Sequence, residues 1–174
     1  MYLKAGDEYA DGEMALLADL LAMVDKEILR VQEKIKASKD PETDGLLDRG
    51  EYFVGIGVTA IQQYFSDTLT LTGIDKKTAL ELGPKHSKNY SIFQVINAAA
   101  NYWKHSAEWY SESELRKDAQ RTIQVVSEVS GTNYYMLYNS LHALLRSSDV
   151  TLCSLLPMLV LWRTAVDGER QRNA

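Results

Sequence analysis

Residues 91–110, SIFQVINAAANYWKHSAEWY, decide how the rest of the chain is understood. Wound as a helix at about 100° per residue, they place Phe93, Ile96, Ala99, Ala100, Trp103 and Ala107 on one side. Val95, Tyr102 and Trp109 flank that side. Asn97, Asn101, Lys104, His105 and Glu108 fall together on a stripe about 100° wide. Such a stripe is either the wet face that every amphipathic surface helix needs or a row of groups that meets a ligand. The apolar side needs neighbouring helices to cover it.

Upstream, residues 48–71 form a helix whose only charge from Tyr52 to Thr72 is Asp67, the pattern of a central, buried member of a bundle. Gly55 and Gly57 cost roughly 1 kcal/mol each there relative to alanine, so their expected role is to let a neighbour approach closely. Gln62, Gln63 and Asp67 need hydrogen-bond partners on such a helix. Before it, a helix opening at Asp11 or Gly12 and running to about Ala37 carries Leu17, Leu21, Val24, Ile28, Val31 and Ile35 at steps of four and three. Asp25, Lys26, Glu27, Arg30, Glu33, Lys34 and Lys36 make up its solvated face. A polar connector with Pro41 and Gly45 separates the two.

Between the central helix and the 91–110 segment lies a connector with a short helical turn at residues 78–82, ended by Gly83-Pro84. It holds Lys76, Lys77, Lys85, His86 and Lys88 against Asp75 and Glu81, the most basic local stretch of an acidic chain. Lys85 and Lys88, with Asn97 beyond them, are the expected contacts to a phosphate backbone. Downstream, Ser111-Glu-Ser-Glu114 has the form of a capping box. It is expected to open a helix through Leu115, Ala119, Ile123, Val126 and Val129 that Gly131 stops. Asn133 is the expected cap of the next helix, which carries Leu137, Leu141 and Leu144 and breaks at Ser147-Ser-Asp149. The last apolar segment, from Val150 to about Asp167, carries Pro157, which kinks it or marks its first turn. No strand alternation of useful length and no repeat is present. The expected fold is all-α, one domain over residues 1–174 in a bundle of five to six helices, with residues 1–10 and 168–174 as frayed tails.

At 174 residues the chain suits one domain with a substantial core. A net charge of −5 disfavours nucleic-acid binding through bulk charge, an objection that a local basic patch escapes. The first residues, MYLKAGDEYADGE, hold no apolar signal region, and the apolar run 150–166 is shorter than the ~20 residues of a membrane span. A soluble, cytoplasmic protein is expected, with no membrane partner. Cys153 lies in an apolar run, where an inert buried thiol is expected. His86, His105 and His142 include no pair at helical spacing, and there is no Glu-x-x-His and no cysteine cluster, so neither metal nor cofactor is expected. His142, among leucines, is expected to be partly buried in the core.

What carries chemistry is Asn101-Tyr-Trp-Lys-His105. Histidine trades protons near neutrality, Lys104 is a cation for a phosphate, and Asn101, one turn earlier, orients the imidazole or the substrate. Cleavage of RNA needs an acceptor for the 2′-hydroxyl proton, a donor for the leaving oxygen and a cation beside the phosphorane. A second copy across a two-fold axis would supply what one histidine lacks.

These residues and their place after a buried apolar helix resemble the HEPN superfamily, small all-α bundles that include ribonucleases of toxin–antitoxin, abortive-infection and CRISPR-linked phage defence. The family motif is an arginine, a polar residue, three further residues and a histidine. Asn101 matches the polar position and His105 the histidine, while Ala100 stands at the arginine position and Lys104 is the nearest cation in the stripe. The resemblance implies a homodimer and metal-independent RNA cleavage centred on His105, Lys104 and Asn101. Three readings stay open: a HEPN-like ribonuclease or RNA-binding protein, a non-catalytic helical interaction module such as an antitoxin or accessory subunit, and an enzyme of other chemistry with a pocket around His105 inside one monomer.

Overall fold

The computed structural model describes residues 2–6, 8–70, 72–109, 112–146 and 150–173. Among them, seven α-helices and one small hairpin form a mainly α-helical bundle. The count exceeds five to six because the basic connector's helical turn is a helix in its own right, Lys76–Glu81.

Helix α1, Gly12–Ala37, starts where a side chain can hold it: the Asp11 carboxylate accepts the Met14 amide at 3.0 Å. Its seam residues Leu17, Leu21, Val24, Ile28 and Val31 are buried against α2, Leu46–Leu69. The expected end of α2 at Leu71 lies outside the described residues. Helix α2 is the core element, burying Val54, Val58, Ile61 and Phe65. Both of its interior glycines admit a neighbour. A Cβ on Gly55 would lie 2.0 Å from the Trp103 ring of α4 (Ile92–Trp109), and one on Gly57 would lie 2.1 Å from Leu152.

Asp25 does not belong to the solvated face of α1. It is buried and accepts the amides of Leu152 and Cys153 at 2.7 and 2.9 Å, where a single 3₁₀ turn, Leu152–Leu155, begins. Glu51 of α2 acts likewise on α6, Met136–Leu145, accepting the Leu137 and Tyr138 amides at 2.8 and 2.9 Å. The expected cap Asn133 instead accepts the Ser127 hydroxyl at 3.1 Å. Helix α5 runs Lys117–Ser130, so the 111–114 pattern does not open it, and Ser111 itself lies outside the described residues, as does the Ser147–Asp149 break. At the 3₁₀ turn and at α6 the orphan amides are served by a residue distant in sequence, which local spacing does not reveal.

Helix α7, Leu156–Arg172, carries Pro157 in its first turn, where the missing N–H costs no bond. Its inner face holds Trp162, which is fully buried, packs at 4.8 Å from Phe65 and 5.6 Å from Phe93, and donates to the Ala79 carbonyl of α3, Lys76–Glu81, at 2.8 Å. Val160 and Leu161 face outward, so the apolar run is buried on one side only. No described helix is long and apolar enough to cross a membrane.

The ends hold structure where fraying was expected. Strands β1 (Leu3–Ala5) and β2 (Glu8–Ala10) pair antiparallel, and α7 continues through Arg172. The buried Asp167 carboxylate accepts the Tyr2 hydroxyl (3.2 Å), Lys4 ammonium (2.9 Å) and Tyr9 hydroxyl (3.3 Å), fastening the hairpin to α7. Strands of three residues are too short to leave an alternation in the sequence.

The N-cap residue Asp11 also accepts Arg163 of α7 and Tyr64 of α2, each at 2.7 Å, joining three helices at one carboxylate. Burial alone would raise its pKa, but the hydrogen bonds from Arg163, Tyr64 and the Met14 amide outweigh burial and hold it below the ordinary value. A depressed native pKa contributes stability that is present above the ordinary carboxylate range and is lost as pH falls through the native value. The urea midpoint should therefore stay level above about pH 5 and fall below about pH 4. Asp11→Ala, which strands Arg163 with a side chain 9% exposed, should cost about 3–5 kcal/mol at neutral pH by urea unfolding.

Candidate nucleic-acid interface

Helix α4 starts on a reciprocal cap. The Ser91 hydroxyl accepts the Gln94 amide at 3.0 Å, and the Gln94 side chain accepts the Ser91 amide at 2.8 Å. The Ser91 hydroxyl also donates to the Leu80 carbonyl, which ties α4 to α3. Phe93, Val95, Ile96, Ala98, Ala99 and Ala100 are all buried. Ala100, where the HEPN resemblance would require an arginine, is fully enclosed, so no cation has room to project from it.

One buried side chain of α2 organises the polar stripe. The Gln62 amide nitrogen donates to Asn97 Oδ1 and Asn101 Oδ1, both at 2.8 Å, and Gln62 Oε1 accepts Lys104 Nζ at 2.6 Å. Both amide protons and the carbonyl oxygen are thus used, which is what burial of a polar group requires. Asn97, Asn101 and Lys104 are brought together, but around Gln62. His105 stands apart from that cluster, half exposed, with Nδ1 3.1 Å from Glu108 Oε2 and its ring stacked 6.0 Å from Trp109. When Nδ1–H donates to Glu108, Nε2 carries the lone pair that accepts a proton.

The stripe faces α5. A cleft of about 450 Å³ is lined by Asn97 and Asn101 together with Lys76, Lys77, Tyr90 and Arg121. A smaller cavity of about 230 Å³ adjoins it, lined by Asn101, His105, Trp109, Arg116, Asp118 and Thr122. Asn101, Asp118 and Thr122 line both, so the two form one groove with His105 and Arg116 at one end. Lys76, Lys77, Arg116 and Arg121 have no ion-pair partner among the described residues. Burial, and then the nearby Lys104 charge, hold the Lys76 ammonium below its ordinary pKa. Crowded cations of this kind favour an anion between them.

Lys85 and Lys88 do not line the groove. Lys85 Nζ donates to the Glu81 carbonyl at 2.5 Å, and Lys88 is exposed. Lys76 and Lys77, from the same basic connector, do line it. No local pattern in the sequence marks Arg116, Asp118 and Arg121, which are exposed at the N-cap and on the outer side of α5. His142 is exposed in the last turn of α6 rather than held in the core. No group of three His, Cys, Asp or Glu side chains suited to a metal ion occurs among the described residues.

Two measurements check this geometry. Gln62→Leu removes the shared amide, leaves Asn97 and Asn101 unserved, and should cost about 1–3 kcal/mol in denaturant unfolding. The Cys153 thiol is pushed up to about 12 by burial and then by the adjoining Asp25, so iodoacetamide at pH 8 should leave it unlabelled in the native protein and label it once urea unfolds the chain. Comparison with known protein families, curated proteins and solved structures returned no match.

Proposed function

We propose that the protein binds RNA along the groove between α4 and α5 and cleaves it without a metal ion at the end where His105 and Arg116 meet. The observation that carries this reading is the convergence of four cations without an ion pair among the described residues, Lys76, Lys77, Arg116 and Arg121, against the one carboxylate of Asp118, on a groove that ends at a histidine in a chain of net charge −5. A local excess of positive charge against the overall balance is the footprint of a polyanion.

In this scheme His105 Nε2 takes the 2′-hydroxyl proton, the 2′-oxygen attacks phosphorus, and the bond to the 5′-oxygen breaks. The products are a 2′,3′-cyclic phosphate and a 5′-hydroxyl, the latter protonated by a general acid. Arg116 offers a guanidinium to the phosphorane oxygens. This is the HEPN-like reading in altered form: the arginine comes from the start of α5 instead of the position before Asn101, and Lys104 serves Gln62 rather than the phosphate. A homodimer would bring the second histidine as the acid. A role in a bacterial defence or toxin–antitoxin system, in the cytoplasm, belongs to the same proposal.

A second reading is favoured by one feature elsewhere. Leu16, Leu20 and Met23 are exposed by 72, 40 and 64% on successive turns of α1, as on a non-catalytic module that holds a protein partner.

The deciding experiment is incubation of labelled mixed RNA with wild type, His105→Ala and Arg116→Ala in excess EDTA. Wild type should cleave, and each variant should lose about 100-fold or more while keeping its helicity. Lys76→Ala and Arg121→Ala should each lower the slope of log affinity against log salt by about 1. Binding without cleavage by any form removes the catalytic part of the proposal, and absence of both leaves the interaction module.

A further inference from the structure

Behind Trp109 lies a cavity of different chemistry. It measures about 250 Å³ and is lined by Tyr102, Ser106, Trp109, Ile123, Asn133 and Met136. Trp109 lines this cavity and the His105 cavity alike, so its indole is their shared wall. The His105 ring lies 6.0 Å from it at an interplanar angle of 29°, and the Tyr102 ring lies 6.3 Å from it at 59°. The groove side of this wall carries Arg116 and, further along, Lys76, Lys77 and Arg121. The far side carries aromatic and aliphatic surface, with Tyr102, Ser106 and Asn133 as the lining residues that bear polar groups; the Asn133 oxygen already accepts the Ser127 hydroxyl.

That division matches the two parts of a nucleotide. A phosphate needs cations, while a base needs a flat apolar slot with a few hydrogen-bonding groups at its edge. A base paired in an A-form duplex is stacked inside the helix and cannot reach across Trp109 while its phosphate lies beside His105. An unpaired nucleotide can. The geometry points to the cavity lined by Tyr102, Ser106 and Trp109 as a base-binding subsite, which makes unpaired RNA the substrate class. The inference rests on the RNA reading of the groove and adds to it a strand preference that cations alone do not create, since phosphate contacts carry no information about the base.

The test compares three fluorescein-labelled ligands, 2′-O-methylated throughout so that none can be cleaved, by anisotropy in EDTA: a short single-stranded RNA, the same strand annealed to its complement, and the same backbone with abasic ribose at every position. Wild type should bind the single strand about tenfold more tightly than either of the others, the scale of one stacked base. Ser106→Leu fills the cavity with a good helix former and leaves His105, Arg116 and the lysines in place. It should reduce single-strand binding to the abasic level and leave duplex and abasic binding unchanged. Trp109→Ala, checked for helicity by circular dichroism, should likewise remove the preference for the single strand over the abasic backbone. Equal binding of all three ligands by wild type, or a folded Ser106→Leu that keeps the single-strand preference, overturns the base subsite while the groove reading stands. Binding of none of the three overturns both.

Discussion

A buried amide with three partners is the constraint on which the site depends. Gln62 is buried on α2, and its nitrogen and oxygen must find partners or cost the fold their hydration. Asn97, Asn101 and Lys104 supply those partners from successive turns of α4. Because all three sit on one stripe, satisfying Gln62 sets the rotation of α4 about its own axis. That rotation turns His105 toward α5 and presses Ala100 into the core. Gly55 works in the same direction, since only a residue without a Cβ leaves room for Trp103.

The same demand for satisfied polar groups holds the bundle together at longer range. Asp25 and Glu51 reach from α1 and α2 to the exposed amides at the start of the 3₁₀ turn and of α6. A carboxylate suits a helix start because the free N–H groups and the helix dipole both favour negative charge there. Asp11 and Asp167 join the ends of the chain to α7 by the same chemistry, with Arg163, Lys4 and three tyrosines as donors. Burial alone would push both carboxyls up, yet both are held below the ordinary carboxylate value by these donors. The apolar core supplies cohesion without direction, and these four carboxylates supply register.

The groove shows how an acidic protein presents a basic surface. Acidic residues that hold the fold, such as Asp11, Asp25, Glu51 and Asp167, are turned inward to helix starts and ion pairs. Lys76, Lys77, Arg116 and Arg121 are left around one concavity without an ion pair among the described residues. Net charge counts both groups alike, whereas a ligand in the groove meets the second, with Asp118 as the acid among the lining residues.

What the sequence determined by itself was the helical bundle, the burial of α2, the start of α1 at Asp11, the close approaches at Gly55 and Gly57 and the polar stripe of α4. All of these follow from periodicity, glycine or a cap within a few residues, and such local physics is written in order along the chain. Only the tertiary structure decided that Gln62 gathers Asn97, Asn101 and Lys104, that Asp25 is buried, that Glu51 rather than Asn133 caps α6, and that Arg116 stands beside His105. It also set Lys76 and Lys77 in the groove in place of Lys85 and Lys88. Each of these joins residues far apart in sequence, and a side chain's partner across a bundle depends on how helices are rotated and packed, which no spacing along one helix encodes.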